Sequence, residues 1–153
     1  MSWILFGGLQ GELLPHLTMV SVSRTNRGLL HSISFHYDCD GLPDMKIQLN
    51  PCPSRESLKS KIDIEHFLID GQGGETITTL STLAYGECQS INLSILSFKI
   101  ETNRDRKATF SAIPETSRGC SYHTLKIRPL DTLVGFYIIQ VCGILGSCTY
   151  AKY

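Results

Sequence analysis

Charge is scarce in this chain. Of its 153 residues only 18% are Asp, Glu, Lys or Arg, below the roughly 25% of an ordinary soluble domain. The 14 basic and 14 acidic residues cancel to a formal net charge of zero. Without a basic excess to neutralise phosphates, a nucleic-acid partner is not expected, and no basic helix suits a membrane surface. Long apolar runs are missing as well, and none approaches the roughly 18 residues that span a bilayer. The apolar start Met1–Gly8 is short and has no basic leader, so a cytoplasmic location is expected. Linkers and low-complexity stretches are also absent, and the length fits a single domain over residues 1–153.

The 6 cysteines (39, 52, 88, 120, 142 and 148) include no Cys-x-x-Cys, which supports neither a zinc site nor a redox motif. They read as reduced thiols acting as small hydrophobes. Cys142 and Cys148 are the exception, spaced to face each other across a turn. His16, His31, His36, His66 and His123 are scattered without metal-ligand spacing. Asp38, Asp40 and Asp44 surround Gly41 but lack the flanking helices and bidentate Glu of a calcium loop, and read as a polar turn. No metal, cofactor or catalytic set is therefore expected. Asn92-Leu-Ser94 is a glycosylation sequon, silent without a secretory route.

What the chain does have is alternation. Ile33, Phe35 and Tyr37 alternate with Ser32, Ser34 and His36, Leu96, Phe98 and Ile100 with Ser97, Lys99 and Glu101, and Leu125 and Ile127 with Thr124, Lys126 and Arg128. A period of two marks strands with one apolar face. Further strands are expected at Thr18–Val22, Met45–Leu49, Glu65–Ile69, Ile77–Leu83, Lys107–Phe110 and Leu133–Val141, separated by Gly-, Asn- and Asp-rich turns. Only Ser54–Ile62 hints at a helix. Many short strands at near-regular spacing predict an antiparallel all-β fold, a sandwich or a closed form.

Several segments carry a family resemblance. Leu68-Ile-Asp-Gly-Gln-Gly-Gly-Glu-Thr-Ile77, His31-Ser-Ile-Ser-Phe-His-Tyr-Asp-Cys-Asp-Gly41, Ile95-Leu-Ser-Phe-Lys-Ile-Glu-Thr-Asn-Arg-Asp-Arg106, Leu133-Val-Gly-Phe136 and Phe6-Gly-Gly-Leu-Gln-Gly11 resemble, in order, segments of the jacalin-related lectins of the mannose-binding type. The resemblance spans roughly residues 3 to 150 and marks a divergent member. It implies a β-prism I: three four-stranded Greek-key sheets about a pseudo-threefold axis, their apolar faces turned to a shared interior. Gly73-Gly74 would then mark a tight approach between chain segments. By resemblance such proteins are commonly homo-oligomers, and their partner is a carbohydrate, a mannose/glucose- or galactose-type glycan.

The resemblance also implies a sugar site where three loops converge: Gly7-Gly8, the loop from Tyr85 to Ser90, and the last hairpin loop, Gly143, Leu145, Gly146 and Ser147 among it. A neutral sugar needs backbone N–H donors, an acceptor for paired hydroxyls and an aromatic face. Glycines bring backbone close, and Tyr85 is either that face or a packed loop aromatic. Where the family keeps an Asp, this chain has Gly146, and no Asp or Glu follows Asp131. The apolar loop Cys142-Gly-Ile-Leu-Gly-Ser-Cys148 equally suits a second reading, a degenerate prism acting as a protein-interaction or targeting module. Asp70 and Glu75 read as serving turn geometry, and Arg104 and Arg106 as a solvated turn.

Overall fold

The computed structural model describes residues 2–25, 30–49, 63–85, 94–111, 120–126, 131–139 and 144–151. Their strands are β1 (Ser2–Ile4), β2 (Leu17–Arg24), β3 (Leu30–Tyr37), β4 (Met45–Gln48), β5 (Asp63–Leu68), β6 (Ile77–Tyr85), β7 (Ser94–Thr102), β8 (Lys107–Ser111), β9 (Cys120–Lys126), β10 (Asp131–Ile139) and β11 (Ile144–Ala151). A single 3-10 turn, Leu14–His16, precedes β2. Among the described residues, no helix is long and apolar enough to cross a membrane. The helix hint at Ser54–Ile62 lies outside the described residues.

The strands form three antiparallel sheets in the orders β1-β10-β11, β4-β3-β2-β5 and β8-β7-β6-β9. Two sheets thus have the four strands the resemblance implied, and the first shows three described ones. Each expected strand exists with its ends shifted by a few residues, since hydrogen-bond pairing rather than side-chain alternation sets where a strand stops; residues 127–128 and 140–141 of two of them lie outside the described residues.

Alternation sends one side of every sheet inward. Val20 and Val22 of β2, Ile33 and Phe35 of β3, Leu80 of β6, Phe98 and Ile100 of β7, and Leu133 and Phe136 of β10 are buried in one core. At its centre the Phe6 and Phe35 rings stack with centroids 4.7 Å apart. Phe136 lies 6.3 Å from each of them and 6.2 Å from Phe98. All three sheets therefore supply this aromatic cluster, which is the shared interior the resemblance implied. The tight approach expected at Gly73-Gly74 divides by cause. A Cβ on Gly73 would strike the Asp70 carboxylate, whereas Gly74 has open space and a φ of +81°.

Candidate functional site

Strand direction decides which loops meet. Gln10, Gly11, Leu14, Pro15, Gly71, Gly74, Thr76 and Thr132 line one cavity of about 210 Å³. That cavity gathers the starts of β2, β6 and β10 at one end of the molecule. Those strands run away from the cavity and finish at Arg24, Tyr85 and Ile139.

Gly7 and Gly8 belong to the first end. Ser2 pairs with Ile138 and Ile4 with Phe136, so β1 runs against β10, and the Gly7 N–H donates to the Val134 carbonyl at 2.7 Å. β10 runs on from Val134 to Ile139, five residues or about 16 Å farther at 3.3 Å per residue. Gly7-Gly8 thus lies beside the start of β10, while residues 86–93 and 140–143, which would carry the other two loops, lie outside the described residues. The glycine pair is not open to a ligand through its amides. The Gly8 N–H donates to the Leu5 carbonyl at 2.9 Å. The exposed Glu12 carboxylate accepts from the Leu9 and Gln10 N–H groups at 3.2 and 2.8 Å and fills the space a Gly8 side chain would need. The backbone N–H groups of Glu12 itself, Gln10 and Leu9 hold that carboxyl below its ordinary value against a smaller opposing effect of burial.

At the opposite end, the Tyr85 backbone pairs with Ser94 and Cys120, closing β6 just before residues 86–93. Leu145, Gly146 and Ser147 are strand rather than loop. They pair with Ile138, Tyr137 and Phe136, which corrects the expected bounds of the last hairpin loop, because the ladder to β10 reaches Ile144. Gly143 and the rest of the Tyr85–Ser90 loop lie outside the described residues, as does Cys142. Cys148 sits in β11 opposite Gly135. The structure therefore brings Tyr85 and the start of β11 to one end and leaves Gly7 and Gly8 at the other.

The acidic residues have structural partners. Glu75, 1% exposed, accepts from the Thr102 hydroxyl at 2.8 Å, the Asp70 N–H at 2.9 Å and Arg106 at 2.8 Å. Burial pushes its carboxyl up, yet the Asp70 N–H, the Thr102 hydroxyl and the charges of Arg106 and Arg104 together hold it below its ordinary value. Asp70 accepts from the Gly73 N–H and from Arg104, each at 2.9 Å, and these bonds lower its pKa. The turn reading of Asp70 and Glu75 agrees with this geometry. Arg104 and Arg106, expected to be merely solvated, instead clamp it. Asp38 and Asp44 do not converge on a common point. Asp38 pairs with His16 at 3.1 Å and Asp44 with His36 at 2.7 Å. The His36 pair belongs to a polar constellation on the outer face of the second sheet, which residue spacing alone did not reveal.

Neither a family model nor a curated protein matches the sequence. Solved structures do match the fold. The Calystegia sepium agglutinin superposes with a TM-score of 0.61 at 12% identity, covering 90% of this chain and 83% of that one. The lectin MPA, complexed with T-antigen disaccharide, gives 0.59 at 12% identity and covers 98% of both chains. Artocarpin, complexed with methyl-α-mannose, gives 0.60 at 15% identity, covering 97% of this chain and 88% of that one. The fold of this chain is the β-prism of the jacalin-related lectins.

Proposed function

We propose that the chain is a lectin-like protein that binds a neutral glycan without altering it, at the end of the prism where β6 and β10 finish. The observation that carries this reading is the fold, shared over 98% of both chains with a lectin held in complex with a disaccharide. Zero net charge agrees with an uncharged ligand. The site would comprise Tyr85 as the aromatic face and the segment holding Gly143, Leu145, Gly146 and Ser147. Gly7 and Gly8 are left out, because their N–H groups are spent within the chain.

The second reading, a protein-interaction module on a degenerate prism, rests on the apolar Cys142–Cys148 segment and on the absence of any carboxylate after Asp131. A glycan array of mannose-, glucose- and galactose-type ligands separates the two. Specific binding is expected, with Tyr85→Ala weakening it about tenfold, the loss of about 1.4 kcal/mol of ring contact. Glu12→Ala, at the far end, should leave it unchanged. An array on which nothing binds removes the lectin reading and favours the interaction module.

A further inference from the structure

Away from both ends, three strands of the second sheet carry a continuous hydrogen-bond relay. On β2, Val20 and Val22 point into the core and are fully buried, so Ser21 faces outward. The Ser21 Oγ lies 2.8 Å from His36 Nε2 on β3 and 2.8 Å from His66 Nδ1 on β5. The His36 Nδ1 lies 2.7 Å from Asp44 Oδ2. A carboxylate only accepts, so when the His36 ring carries a single proton it sits on Nδ1 and Nε2 is bare. The Ser21 hydroxyl proton then goes to that Nε2, and Oγ accepts from His66 Nδ1–H. Every role in the relay follows from the single acceptor at its end.

We propose that Ser21 is an activated nucleophile, with His36 as its general base and Asp44 as the positioning carboxylate, and that it takes the acyl group of esters of apolar acids. The arrangement is the nucleophile–base–orienter logic of serine acyl transfer, with Ser21 on β2, His36 on β3 and Asp44 in the connection just before β4. The imidazoles shield Ser21, which is 6% exposed. The surface beside it is apolar. Leu68 and Ile64 flank His66 on the same face of β5, opposite Met19 and Ser23, and are 65% and 52% exposed.

In the step, Ser21 Oγ bonds to the ester carbonyl carbon while its proton passes to His36 Nε2. The C–O bond to the alcohol breaks, and the departing oxygen takes that proton. Water later cleaves the acyl-serine, giving one proton to His36, which returns it to Ser21 Oγ as the acid leaves. The backbone at Ser21 is paired in the ladders to β3 and β5, so no amide there serves the oxyanion. A missing oxyanion donor costs about 10²–10³ in rate at both steps, so the acyl group accumulates on Ser21 from esters with a good leaving group, such as nitrophenyl esters, whose acylation outpaces attack by water.

The test treats the full chain with an alkyl fluorophosphonate and, separately, with p-nitrophenyl butyrate, followed by intact mass and peptide mapping. The expected result is one adduct, on Ser21, with a burst of about one equivalent of nitrophenolate. Ser21→Ala should abolish it, and His36→Gln should slow labelling about 10²–10⁴-fold. Ser34→Ala, opposite Ser21 on the same face, should label like the unaltered chain. Should His36→Gln not fold by circular dichroism, Asp44→Asn decides, because that carboxylate is 54% exposed and should slow labelling at least about tenfold. No adduct on Ser21, or a labelling rate indifferent to His36 and Asp44, overturns the proposal. Glycan binding by Ser21→Ala is read in parallel and should not change, so the two sites stand or fall separately.

Discussion

Glu75 shows how a single carboxylate holds a loop. It joins the Asp70 N–H before it, the Thr102 hydroxyl at the end of β7 and the guanidinium of Arg106, so three chain segments meet on one buried side chain. Hydrogen bonds to a charged group are worth about 1.5–3 kcal/mol each. Arg106 is 45% exposed, and water would partly replace its bond. Glu75→Ala is therefore expected to cost about 2–3 kcal/mol, a fall of roughly 4–12 °C in Tm, measurable by thermal denaturation. The pH dependence has a definite sign. The folded Glu75 pKa is lower than its ordinary 4.5, so its contribution is fully present above pH 4.5. It is lost as the pH falls through the folded value. Acid unfolding curves should thus show the unaltered chain losing stability below pH 4.5 more steeply than Glu75→Ala.

At the scale of elements, the edge strand β1 depends on one missing side chain. The register of β10 against β11 shifts between Leu133 and Gly135, and a Cβ at Gly135 would strike the Ile4 carbonyl of β1. Backbone cannot yield as a flexible side chain does. Gly135→Ala should push β1 away at a cost of about 1–3 kcal/mol. Amide hydrogen exchange should show Ile4 and Gly7 losing protection before the β6–β7 pair does. The glycine was visible in Leu133-Val-Gly-Phe136, and so was the strand around it. The reason for the glycine was not, because its partner lies more than a hundred residues earlier in the chain. The start of β11 was misread for a related reason. Ile144-Leu-Gly-Ser147 has no clean alternation, and only its ladder to β10 makes it a strand.

At the scale of the molecule, Phe136 is the joint between the sheets. It lies against Phe6, Phe35 and Phe98 and is fully buried. Phe136→Ala should cost about 3–5 kcal/mol, a large share of the roughly 5–15 kcal/mol that stabilises a domain. A fall in Tm of roughly 6–20 °C, or failure to fold, is expected. A loss below about 1 kcal/mol would mean that the sheets do not rely on this cluster.

The sequence by itself determined the strands and their inward faces, because alternation with a period of two is a local property that each segment carries alone. It also exposed Phe35, Phe98 and Phe136, each closing a short motif that could be read without knowing its neighbours. Only the tertiary structure decided which loops meet. Strand direction and register come from pairing between distant segments, and they set Gly7-Gly8 at the end away from Tyr85. The same pairing assembled the Ser21 relay. Its histidines stand 15 and 45 residues along the chain from Ser21, distances over which no spacing rule operates. Three adjacent strands bring them within hydrogen-bond reach of one hydroxyl.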